Sequence, residues 1–188
     1  VVLLWLGYPR YNGIRCKNSK AQKRTEKEVK CVGKMKKLVM NDSTALFLYA
    51  MEFYGVREKI GDEHNPVILN WFHQIGHQWV TTDETSWCSA YLNYICKEMG
   101  MEYSGELTAR SWLKVGTDVP LRDIRRGHVV VFWRESPLSW KGHVGLAVAR
   151  DLHHVYTLGG NQDNMVCIKP YRTDRLLGVR KLKRTTFT

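Results

Sequence analysis

Cys88 and His143 are the residues of this chain best suited to nucleophilic chemistry. Cys88 lies at the start of a helical run, Thr85-Ser-Trp-Cys88-Ser-Ala, and His143 in a strand-like Gly142-His-Val-Gly. A thiol at a helix N-terminus and an imidazole further along the chain are the minimum equipment of a cysteine nucleophile with its base. A helix beginning near Thr85 puts the thiol in its first turn, where free backbone N–H groups and the positive end of the dipole favour thiolate and can hold an oxyanion. Eighteen residues after His143, the stop Gly159-Gly-Asn161-Gln offers Asn161 as a third group to orient the imidazole. The chemistry that follows is cleavage of an amide bond.

His143 has a rival, because Gly-His-Val occurs twice, at 127–129 and 142–144, each time opening a strand. Glycines 142 and 145 leave room around His143 for a substrate backbone, and Asn161 follows it; His128 has no such partner. The remaining histidines (64, 73, 77, 153 and 154) form no metal spacing with acidic or thiol neighbours. Asp83 and Glu84 precede the nucleophile, and the ordinary role of such acids is to complement the helix dipole. The alternative is that they bind an ammonium or amide of a substrate. Trp87, Trp112, Trp133 and Trp140 are candidates for a cleft wall, although aromatic side chains more often fill cores. There is no phosphate-cradling glycine loop and no dinucleotide fingerprint.

Helices must carry the thiol and strands the base. Asn41-Asp-Ser-Thr opens a first helix through Ala45 to Tyr54, stopped by Gly55. Asn65-Pro66 caps a second, from Val67 to Ile75, and Asp83 to Ser86 introduces a third, from Trp87 to Met99, ended by Gly100. A short helix is expected at 108–115. After Pro120 the period becomes extended, with strands at 128–133, 143–149, 154–158, 165–168 and 177–182. Short links favour antiparallel neighbours, and helices followed by strands make an α+β domain.

The formal charge of +11 divides unevenly: residues 1–40 hold 11 Lys or Arg against Glu26 and Glu28, which leaves a net charge of +2 for residues 41–188. The domain organisation read from this is a basic N-terminal arm, 1–40, and a body, 41–188. The arm reads as a solvated, disordered or helical tail, as a grip on an anionic polymer or surface, or as a remnant of another segment; it carries no groove-reading motif, so sequence-specific nucleic-acid binding is not expected. No run reaches the roughly 18–20 apolar residues of a membrane span. The opening Val1-Val-Leu-Leu-Trp-Leu lacks the basic start and cleavage site of a secretory signal. The chain begins without Met, so this end leaves export open. Cysteines 16, 31, 88, 96 and 167 form no zinc spacing, and Cys88 and Cys96 on one helix lie about 12 Å apart, too far for a disulfide. A reduced protein without metal or organic cofactor is expected.

Seven ordered motifs over roughly 140 residues resemble one family: Glu52-Phe-Tyr-Gly-Val, Asn65-Pro66 with Ile68, Asp83-Glu-Thr-Ser-Trp-Cys88-Ser-Ala, Ala109-Arg-Ser-Trp112, Gly142-His143-Val-Gly, Leu158-Gly-Gly-Asn161-Gln and Arg175-Leu-Leu-Gly178. The stretch from about Thr44 to Leu182 is similar to the NlpC-type cysteine peptidases with a papain-like fold and to their CHAP-type amidase relatives, in a subgroup found in phage and bacteria. The resemblance implies a papain-like fold, with helices packed on an antiparallel sheet. It also implies a peptidoglycan hydrolase acting on the bacterial cell wall, on a stem-peptide amide or on the muramoyl–alanine bond. By position Cys88 matches the nucleophile, His143 the base and Asn161 the orienting residue, with Trp87, Glu84, Trp112 and Trp140 as substrate contacts. His128 departs from the family, which usually carries an acidic residue there. The same triad would serve a transpeptidase or another isopeptide amidase, and the same fold an inactive wall-binding or phage structural module.

Overall fold

The computed structural model describes residues 40–185. The expectations for the basic arm, and for Cys16 and Cys31, lie outside the described residues. The element order is α1 (Asp42–Met51), α2 (Pro66–Gln74), α3 (Cys88–Glu98), a 3-10 segment Ala109–Lys114, then β1 (Thr117–Asp118), β2 (Val129–Trp133), β3 (Gly142–Arg150), β4 (His154–Gly159), β5 (Cys167–Arg172) and β6 (Leu176–Lys181). The strands form one sheet in the order β1-β6-β2-β3-β4-β5, and every pairing in it is antiparallel. This is the expected α+β architecture of N-terminal helices and an antiparallel sheet.

The caps explain where the helices begin. Asn41 accepts from the Thr44 N–H and Asn65 from the Val67 N–H, and Pro66 supplies the fixed φ of a first helical turn. The third helix starts later than its acidic prelude suggests. Trp87 is its N-cap and offers no side-chain cap, so Cys88 is the first helical residue. The expected helix at 108–115 is a 3-10 segment, the strand expected at 165–168 starts two residues later and ends four residues later, and β1 is too short to leave a sequence signal.

The main core lies where α1–α3 meet Val129, Val131, Val144, Leu146 and Leu158 of the sheet. Trp71 is central to the helical side, 5.0 Å from Tyr91 and 5.5 Å from Trp87 between ring centroids. The Tyr91 hydroxyl donates to the Ala50 carbonyl at 2.7 Å, a buried bond that ties α3 to α1. Trp87 and Trp112 are both fully buried in this core. The indole N–H of Trp87 donates to Glu58 and that of Trp112 to the Ser89 hydroxyl. They are packing residues, and the expectation that they touch substrate is corrected: large apolar rings with one satisfied donor are better placed in the interior.

Candidate active site

The helix that carries Cys88 is held from two directions. Behind it, the buried Asn93 side chain donates to the carbonyls of Ser89 and Glu106 and accepts from the Gly105 N–H, clamping residues 104–106 to α3. In front of it, Asp83 is fully buried and accepts from the N–H groups of Lys59 (3.2 Å) and Asn65 (2.8 Å), with the His64 ring at 2.9 Å. Burial alone raises the pKa of this carboxyl, but the two N–H groups and His64 prevail and hold it below the usual carboxylate range. Asp83 is therefore a clasp on the segment leading into Cys88. Glu84 is exposed, outside the cleft.

A cleft of about 550 Å³ opens at the start of α3. Cys88 lines it together with Thr85, Ser86, Arg134, Trp140 and Gly142. Of the four expected substrate contacts, only Trp140, 72% exposed, borders this cleft. The cleft's far wall is the segment 134–142 that links β2 to β3. It is closed by a hydrogen bond from the Arg134 N–H to the Lys141 carbonyl and pinned by Arg110, which donates to the Pro137 carbonyl at 2.7 Å.

His143 lies on β3, fully buried, with its ring stacked on Tyr171 at 4.8 Å and 8°. Its Nε2 is 2.9 Å from Oε1 of Gln162. The residue against the imidazole is thus Gln162, the immediate neighbour of the expected Asn161. Asn161 turns the chain in the left-handed region at φ 55° and makes no side-chain contact with His143 among the described hydrogen bonds, whereas Gln162 is buried and reaches inward. The two preceding glycines have a steric cause. A Cβ at Gly159 would come within 2.9 Å of His143 Nε2 and 3.0 Å of Gln162 Oε1, and one at Gly160 within 2.5 Å of the Trp87 ring.

These bonds fix the tautomer. The Gln162 amide nitrogen donates to the carbonyls of Thr157 (3.3 Å) and Cys167 (2.5 Å), so its oxygen is the atom turned to the imidazole. An amide oxygen only accepts, so Nε2 carries the proton and Nδ1 keeps the lone pair. Facing that lone pair is Arg134 Nη2 at 3.3 Å, a residue the sequence reading did not single out. It follows a strand and precedes a loop, and nothing local marks it.

Burial, then the Arg134 charge, push the His143 pKa down to about 3, against the Gln162 hydrogen bond. Burial also raises the Cys88 thiol; the Arg134 charge leads the opposing effects, followed by the Val144 N–H, the Ser86 side chain and the Ser89 N–H. The Val144 contact places the sulfur beside the residue that follows His143. At neutral pH Cys88 is therefore a thiol and His143 a neutral imidazole.

His128, the rival histidine, is structural. It is buried, and its Nδ1 accepts from the Arg125 N–H at 3.2 Å to close the turn before β2. Among the described residues, Cys88, Cys96 and Cys167 are free thiols and no cluster of three His, Cys, Asp or Glu is arranged to hold a metal. No helix of the described residues is long and apolar enough to cross a membrane.

No family model matches the chain, and no curated protein matches it. It is similar to several solved structures, three of them as follows. The first is a lipoprotein-like NLP/P60-family protein of Staphylococcus aureus (TM-score 0.44, 12% identity, 81% of this chain), of which this chain spans 46% of the length. The second is the P60 domain of an antigen of M. avium paratuberculosis (TM-score 0.43, 14% identity, 77% of this chain and 93% of that one). The third is RipD of Mycobacterium tuberculosis, described as a non-catalytic NlpC/p60 domain protein adapted to peptidoglycan binding (TM-score 0.40, 18% identity, 78% of this chain and 99% of that one). These likenesses are distant, and the α+β architecture is established by the elements themselves.

Proposed function

We propose that this protein is a cysteine hydrolase of bacterial peptidoglycan. It cleaves an amide bond, in the stem peptide or between the muramoyl sugar and alanine. The observation that carries the reading is the Gln162–His143 hydrogen bond, which leaves Nδ1 as a base on the strand that reaches the Cys88 sulfur. Cys88 attacks the carbonyl, and His143 takes its proton and passes it to the leaving amine. Water then releases the acyl-enzyme. The free N–H groups at the start of α3 receive the oxyanion. Trp140 offers an exposed aromatic face at the cleft rim for a sugar or peptide. The choice of wall material rests on the seven-motif resemblance, and its site of action is accordingly the bacterial wall.

The test is mass spectrometry of purified peptidoglycan digested with wild type, Cys88→Ala and His143→Ala. New ends made only by wild type support the reading, and their masses identify the bond. Their absence with folded protein overturns it.

One observation favours a second reading, a wall-binding module without turnover: the buried thiol stays protonated and Arg134 covers the base. Wall binding that survives Cys88→Ala, with no new ends from wild type, is the result that selects it.

A further inference from the structure

Arg134 is the feature of the cleft that a thiol–imidazole mechanism leaves unused. Among the described residues no carboxylate pairs with it. The nearby cleft acid, Glu135, is taken by Lys141 at 2.5 Å. Yet the guanidinium lies against His143 Nδ1, and the residue lines the same cleft as Cys88. The residue is exposed as a whole and lines the cleft, so its charged end is within reach of whatever enters. Its described side-chain partners are both neutral, the Tyr171 hydroxyl and, at 3.3 Å, longer than an ordinary N–H hydrogen bond, the imidazole Nδ1 of His143.

Such a contact exchanges readily. A planar guanidinium matches a carboxylate in two parallel bonds, and charge-assisted bonds are roughly twice as strong as neutral ones. An incoming carboxylate therefore outcompetes Nδ1. The same exchange uncovers the lone pair that must accept the thiol proton.

We propose that Arg134 is the receptor for a free carboxylate adjacent to the scissile amide, and that pairing with it draws the guanidinium off His143 and frees the base. The substrate class is then a peptide whose cleaved amide is flanked by an unmodified carboxylate, and the amidated form is a poor substrate. This assignment rests on the hydrolase reading for its catalytic consequence, although the anion site itself does not.

Two measurements separate the two. In the first, histidine-labelled protein is titrated with N-acetylalanine and with N-acetylalanine amide at constant ionic strength, following the ¹⁵N resonance of His143 Nδ1. The carboxylate is expected to move it toward its position in Arg134→Gln, and the amide to leave it in place. No movement, or equal movement by both probes, overturns the assignment. In the second, wall peptides carrying a carboxylate or a carboxamide beside the cleaved bond are compared. Wild type is expected to favour the carboxylate by about 10- to 100-fold in kcat/KM, Arg134→Gln to show a ratio near one, and Arg134→Lys to fall between. Hydrolysis with a ratio near one in wild type overturns the role of Arg134 and leaves the hydrolase standing. Displacement by N-acetylalanine without hydrolysis of any wall peptide overturns the hydrolase and leaves the carboxylate site standing.

Discussion

At the scale of single residues, the proposed catalytic role of His143 makes Gln162, which holds its ring, and Asn161, which does not, separable by experiment. Gln162→Ala removes the acceptor that fixes the imidazole tautomer and leaves the Thr157 and Cys167 carbonyls without their amide partner. We expect wall hydrolysis to fall by roughly 10²-fold or more, with a stability loss of about 1–3 kcal/mol from the unpaired buried groups. Asn161→Gly keeps the positive φ without a side chain and is expected to leave turnover near wild type. A steady-state comparison of the two variants decides the assignment. The same imidazole sets a pH dependence. Its pKa falls from 6.5 when unfolded to about 3 in the fold, so below pH 6.5 the unfolded chain binds a proton that the folded chain refuses. Stability contributed by neutral His143 is complete above pH 6.5 and declines as the pH falls toward about 3. His128, also depressed by burial, acts in the same direction. His143→Gln should therefore flatten, without abolishing, the decline of Tm over that window, as thermal melts at stepped pH would show.

The elements were legible in the sequence wherever a local signal generated them. Asn41, Asn65-Pro66 and the continuous Val-rich runs mark helices and strands close to their observed positions, because caps and short β-branched runs are local signals. Cys88 was visible for the same reason, as a thiol at a helix start. What was not legible was distance across the chain. Asp83 looked like a helix-dipole acid and is a clasp on residues 59–65, and the two tryptophans looked like a cleft and are core. Nothing near Arg134 in sequence announces that it meets His143 across the β2–β3 hairpin. The Asp83 clasp predicts a specific loss. Asp83→Asn retains the shape but replaces a charged acceptor of two N–H bonds, at an expected cost of about 1.5–3 kcal/mol, or several degrees in Tm. Because this carboxyl's pKa is depressed in the fold, its contribution is present above the ordinary carboxyl value of 3.8 and disappears as the pH drops through the lower folded value. The difference in Tm between wild type and Asp83→Asn should therefore be largest near neutrality and close in strong acid; a difference that persists there would mean the clasp is steric rather than ionic.

At the scale of the whole molecule, the charge is the property that no single site explains. The residues after 40 are nearly balanced, at +2, while the first 40 hold the excess. For the proposed hydrolase of a solid, polyanionic wall, a concentrated block of Lys and Arg would raise the local concentration on that surface without contributing to the chemistry. The two halves of that statement separate experimentally. Removing residues 1–39 should leave hydrolysis of a small soluble wall peptide near its original kcat/KM, since the described residues from 40 onward contain the cleft, its thiol, its base and the core that supports them. On intact sacculi bearing anionic polymer, the full chain should bind more tightly at about 0.05 M than at about 0.5 M salt, because exposed charges are screened over a shorter distance as salt rises. The shortened chain should show little of that dependence. If the shortened chain keeps the full salt response, surface capture is a property of the body, and the basic block has some other use.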